Sequence, residues 1–86
     1  LNLYRKELDL IDGNIIDILS DRMDVSKNIG KLKHKENVAI LQSSRWSDIL
    51  SSMVAMGESK GLSVEFVEEV FKAIHVESIN IQHNVK

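Results

Sequence analysis

The stretch Leu1–Glu36, LNLYRKELDLIDGNIIDILSDRMDVSKNIGKLKHKE, decides the fold. Its apolar residues advance in steps of three and four: Leu1, Tyr4, Leu8, Ile11, Ile15 and Ile18, then, after a break, Val25, Ile29 and Leu32. That spacing keeps one stripe of a helix facing a partner. It predicts a single uninterrupted helix from Leu1 to about Glu36. The break falls at Arg22, the only charged residue on the seam. A guanidinium among aliphatics is costly unless an anion meets it.

A helix of some 36 residues runs roughly 50 Å at about 1.5 Å per residue. A compact chain of this size has a radius of gyration of only about 12 Å. The remaining residues are too few to cover such a helix, so its overhanging seam predicts an obligate homodimer. Gly13 and Gly30 each cost roughly 1 kcal/mol against Ala inside a helix. Close backbone packing or a bend would account for them.

The rest of the chain reads as two further helices. Asn37 is a candidate helix stop, and Val38–Leu41 a short apolar connector expected to tuck into the core. Ser43 or Ser44 is a candidate N-cap. From there Trp46, Ile49, Leu50, Met53 and Val54 form a stripe ending near Gly57, and 57–61 reads as a polar turn. Ser63 caps a third helix, with Glu65 in its first turn and an inward stripe of Val67, Val70, Phe71, Ile74, Ser78, Ile81 or Gln82, and Val85. The expected fold is all-α: one very long, one short and one medium helix, a single domain over 1–86, forming an intertwined dimeric bundle.

Composition narrows the function. A net charge of −2 with no dense basic run gives no support to nucleic-acid binding. No apolar run approaches a membrane span and no signal peptide is visible, which points to the cytoplasm. The chain lacks cysteine, so neither a disulfide nor a thiolate site is available. It begins at Leu1 rather than Met, as a domain cut from a longer protein would. His34, His75 and His83 show no metal-ligand spacing with nearby carboxylates, and no Ser–His–Asp set or phosphate loop can be made out. Trp46 reads as a core or interface anchor.

The residues left for chemistry are mostly cations and donors. Arg22 and Lys33, eleven residues apart, share nearly one helix face about 16 Å apart, where they bracket an anion or lay their stems over apolar neighbours. Arg5 lies roughly 25 Å before Arg22 and reaches that region only from an antiparallel second copy; otherwise it is simply solvated. Ser78 and Gln82 stand at i, i+4 where aliphatics are expected, either as interhelical hydrogen bonders or as pocket lining. Arg45, in the first turn of the second helix, gains nothing from the helix dipole there. Such a set has no nucleophile, general base or cofactor motif. It suits a reaction that needs a dianion gripped in a reactive conformation.

The segments Leu3–Asp12, Asp21-Arg22, Ile29–Lys33, Gln42-x-x-Arg45 and Ile74–Gln82 resemble the all-helical chorismate mutase family, in order and across essentially the whole chain. The second and third helices also resemble mutase domains fused to DAHP synthase. The resemblance implies rearrangement of chorismate to prephenate without a cofactor, in a dimer with antiparallel long helices. It implies that Arg22, with Arg5 of the other subunit, holds the two carboxylates. Lys33 and Gln82 donate to the breaking ether bond, Arg45 and Ser78 support the site, and Gln42 lies near the ring hydroxyl. The family often has an acid where Gln42 stands, and a Glu where Trp46 stands that helps to hold the hydroxyl. An isochorismate pyruvate-lyase would use the same cations, and a non-catalytic dimerisation or regulatory module would keep only the seam.

Overall fold

The structure, a computed structural model, describes residues 1–85; Lys86, the last residue of the predicted 1–86 domain, lies outside them. Among the described residues the elements are three helices and no strand: α1 (Asn2–Glu36), α2 (Ser43–Ser59) and α3 (Val64–Asn84). α1 runs 35 residues without a proline to break it. Lys33, His34 and Lys35 in its last turn complement the helix dipole. It stops at Asn37, which takes the left-handed conformation at φ 57°. The N–H of Val38 then closes on the Lys33 carbonyl at 2.8 Å, so that orphan acceptor is satisfied.

Three local expectations need correction. α2 starts one residue before a Ser cap could act: Gln42 is the N-cap residue, extended and without a side-chain cap bond, and Ser43 is already helical. α2 also continues through Gly57 to Ser59. The turn follows at Gly61, whose φ of 86° a side chain would strain. Finally, the 38–41 connector does not tuck in: only Ile40 is even half-buried, while Val38, Ala39 and Leu41 are exposed. Ile40 instead lines a cleft between the helices. Ser63 does cap α3, accepting from the Phe66 N–H at 3.2 Å.

α3 packs against both other helices, whereas α1 and α2 do not pack on one another. Glycines set both crossings. A Cβ on Gly30 would lie 2.7 Å from the Gln82 Cα, so α1 and α3 meet backbone to backbone there. A Cβ on Gly57 would lie 2.5 Å from a Val67 methyl, which fixes α2 against α3. Gly13 meets nothing within 4 Å.

The face of α1 that packs on α3 is not the aliphatic seam. Its buried residues are Ser26 and Gly30, one position on from Val25 and Ile29, about 100° round the helix. Leu1, Tyr4, Leu8, Ile11, Ile15 and Ile18 are all exposed, as are Val25, Ile29 and Leu32. Among the described residues the buried large apolar side chains are Val67 and Val85. The result is an open molecule of 52 × 24 × 14 Å with a radius of gyration of 15.5 Å, against about 12 Å for a compact chain of this length.

Candidate active site

Because the backbones of α1 and α2 stay apart, a gap stays open between them, floored by α3. It is a cleft of about 360 Å³, within the size range of small-molecule sites. α1 supplies Arg22, Val25, Ser26, Ile29 and Lys33; α2 supplies Arg45, Trp46 and Ile49; α3 supplies His75, Ser78, Ile79 and Gln82; Ile40 and Gln42 of the connector close one end. The helical spacing explains the convergence. Ser26, Ile29 and Lys33 repeat at three and four residues on α1, as His75, Ser78 and Gln82 do on α3.

A polar chain crosses the floor. The Lys33 Nζ donates to the Gln82 Oε1 at 2.9 Å and to the Ile40 carbonyl at 2.7 Å. The Gln82 Nε2 donates to the Ser78 Oγ at 3.2 Å, and the Ser78 and Ser26 hydroxyls bond at 2.7 Å. Among the described residues these partners are the deepest polar side chains: Ser26, Ser78 and Gln82 are 4, 7 and 6% exposed. An ammonium cannot accept, so Lys33 dictates which way the Gln82 amide faces. With Oε1 on Lys33 and one N–H on Ser78, a second amide N–H remains, as does a third Lys33 N–H. Outside the cleft, the Gln82 carbonyl pairs with the His34 ring at 3.0 Å.

The electrostatics are one-sided. Among the described residues the lining holds three cations, Arg22, Lys33 and Arg45, and no carboxylate. Burial lowers the Lys33 pKa from its ordinary 10.5. Burial, and then the neighbouring Arg22 charge, lower the His75 pKa from 6.5, so its imidazole is neutral at pH 7. His75 stacks flat on Trp46, ring centroids 4.1 Å apart at 17°. Among the described residues no group of three His, Asp or Glu is placed to hold a metal ion, and no helix is long and apolar enough to cross a membrane.

Of the residues singled out from the sequence, Arg22, Lys33, Gln42, Arg45, Ser78 and Gln82 line this one cleft. Arg5 does not: it lies roughly 25 Å along α1, on the exposed overhang. Sequence reasoning missed Ser26 and His75 as lining, and placed Trp46 in a core or interface rather than at this wall. A signal existed for His75, three residues before Ser78 on the same face. Nothing in the sequence distinguishes Ser26, because its partner Ser78 lies 52 residues away.

Residues 4–83 match the family described as Chorismate mutase type II. Among curated proteins the chain is 28% identical over 79 residues to a bifunctional chorismate mutase/prephenate dehydratase of Buchnera aphidicola subsp. Baizongia pistaciae, covering 92% of this chain and 21% of that protein. It is 27% identical over 74 residues to a T-protein of Haemophilus influenzae, covering 86% and 20%. It is 26% identical over 82 residues to a 4-amino-4-deoxychorismate mutase of Streptomyces venezuelae, covering 95% and 80%. The chain spans about a fifth of the length of the two-function relative and of the T-protein.

Proposed function

The chain belongs to the chorismate mutase type II family, and from that membership we propose that its cleft converts chorismate to prephenate. The observation that carries this reading is the Lys33–Gln82 pair, two donors held side by side in a cleft whose described lining has cations and no carboxylate. In the rearrangement the ether C–O bond breaks while the enolpyruvyl methylene carbon bonds to the ring carbon bearing the carboxylate. No atom is gained or lost, and no proton need move. Negative charge grows on the ether oxygen as the bond opens, and preorganised donors aimed at that atom lower the barrier. The free N–H groups of Lys33 and Gln82 supply them. Arg22 takes one substrate carboxylate, and Arg45 adds positive potential at the α2 wall. Ser78, with Ser26 behind it, holds the Gln82 amide in register. Gln42, at the exposed end, lies beside the ring.

The second carboxylate needs a further cation, and the proposal assigns it to Arg5 of a second copy. The exposed aliphatic seam supports an antiparallel homodimer, since apolar surface of that extent on a soluble helix calls for a partner. An N-terminal half of α1 laid along the other copy's C-terminal half would carry Arg5 towards Arg22 and Lys33. A cytoplasmic location and a fusion partner belong to the same proposal. The two-function relative pairs its mutase with a prephenate dehydratase by name, which favours that kind of neighbour over DAHP synthase.

Incubation with chorismate and, separately, isochorismate, followed by proton NMR, tests the reading. Prephenate from chorismate is expected. Pyruvate from isochorismate would make the site a lyase, and no turnover of either would leave a dimerisation module.

A further inference from the structure

We propose that His75, held flat on Trp46, is the acceptor for the ring hydroxyl of the substrate and selects a hydroxyl over an amine at that position. The inference rests on chorismate as the substrate. Chorismate presents two carboxylates and an ether, all acceptors, and one hydroxyl, its only donor. The cleft answers the acceptors with Arg22, Lys33, Arg45 and the Gln82 amide N–H. Acceptors for the hydroxyl are scarce. The Gln82 Oε1 is engaged by Lys33, the Ser78 Oγ by Gln82 and Ser26, and the Ile40 carbonyl by Lys33. Among the described residues no carboxylate lines the cleft.

Two lining side chains with an acceptor that makes no hydrogen bond among the described residues remain, Gln42 and His75. Gln42 is exposed on the connector and forms no side-chain hydrogen bond that would fix its amide. His75 is half-buried on α3, its ring plane fixed by the Trp46 stack. Neither of its ring nitrogens has a hydrogen-bond partner among the described residues. The neutral imidazole near Arg22 offers one lone pair and one N–H. A hydroxyl can use that lone pair.

An ammonium in place of the hydroxyl would meet Arg22, Arg45 and Lys33 with no carboxylate among the described lining residues to pair with it. Asp48 lines only the adjoining depression, where Arg22 and Arg45 also lie. The cleft therefore disfavours 4-amino-4-deoxychorismate, the compound for which the Streptomyces relative is named.

The test compares kcat/KM for chorismate, its 4-amino-4-deoxy counterpart and an analogue lacking the hydroxyl. The enzymes are the wild type and the variants His75→Phe, His75→Gln and His75→Glu, each checked for native helicity and melting. The wild type is expected to prefer chorismate over the amine by tenfold or more. His75→Phe, which keeps the stack, should lose about tenfold on chorismate, mainly in KM, and nothing on the dehydroxy analogue. His75→Gln restores an acceptor and most of that loss, and His75→Glu shifts preference towards the amine. Equal losses on chorismate and the dehydroxy analogue, or none on either, would overturn the assignment while leaving the mutase reading intact. A wild type inactive on chorismate would instead overturn that reading, and this assignment with it.

Discussion

Lys33 and Gln82, 49 residues apart in sequence, meet through a 2.9 Å hydrogen bond that fixes the Gln82 amide with its N–H groups away from the ammonium. The bond exists because Gly30 lets α1 approach the α3 backbone at Gln82 itself. One glycine thus sets both the helix crossing and the orientation of a donor in the cleft.

Gln82→Glu reports on that donor. At neutral pH the new carboxylate would sit against the Lys33 ammonium, stay ionised, and offer no proton to the ether oxygen. Turnover is expected to fall about 10²–10³-fold near pH 7, as for loss of one oxyanion donor. It should recover as pH falls and the carboxyl protonates. A pH–rate profile unchanged from wild type would remove Gln82 from the reacting atoms.

Lys33 predicts an alkaline limb. The protonated form is the one that donates, and burial lowers its pKa from 10.5. The rate is therefore full below the lowered value and is lost as pH rises through it, before an ordinary lysine would titrate. A dianion bound beside Lys33 favours the ammonium, so the limb in kcat lies at higher pH than the limb in kcat/KM. Identical limbs in the two profiles would mean that Lys33 does not meet the substrate.

Gly30→Ala tests the crossing. The added methyl would lie 2.7 Å from the Gln82 Cα and 2.8 Å from a Val85 methyl. The valine side chain can turn aside, but the backbone cannot. A destabilisation of about 1–3 kcal/mol is expected, as for overpacking elsewhere, despite the better helix propensity of Ala. Turnover should fall with it, because α3 carries Ser78 and Gln82. Thermal melts and kinetics on one sample decide it, and a variant as stable and active as wild type would show that α1 and α3 have room to separate.

Much of this was legible in the sequence because helices are local. The 3–4 spacing and the absence of proline mark α1, the Asn37 stop falls where the period breaks, and Ser63 caps α3 as its residue type suggests. The connector misled because Val38–Leu41 reads as apolar filling, while within one chain only Ile40 of it finds cover. The seam speaks only to what a second copy would cover. Within the chain α1 uses a different face, the small pair Ser26 and Gly30, for close approach to α3. Which of two adjacent faces meets α3 is decided by residues 50 positions away, and a period cannot report that.

The exposed seam is the basis of the last prediction, that Arg5 acts from a second copy. Within one chain Arg5 lies roughly 25 Å from Arg22, too far to share an anion of a few ångströms. Arg5→Ala and Lys33→Ala should each be nearly inactive alone. If two copies pair antiparallel, each cleft of a mixed dimer takes Arg5 from one chain and Lys33 from the other. One of its two clefts then carries both lesions and the other carries neither. Co-refolding the two variants, with a tag on one to isolate the mixed species, should recover about half the wild-type activity per dimer. If the seam pairs two copies, the melting temperature of the wild type should rise with concentration, because association draws the folded state forward by mass action. Isolated mixed dimers without any recovered turnover would show that Arg5 does not serve a partner's cleft, whatever the seam does.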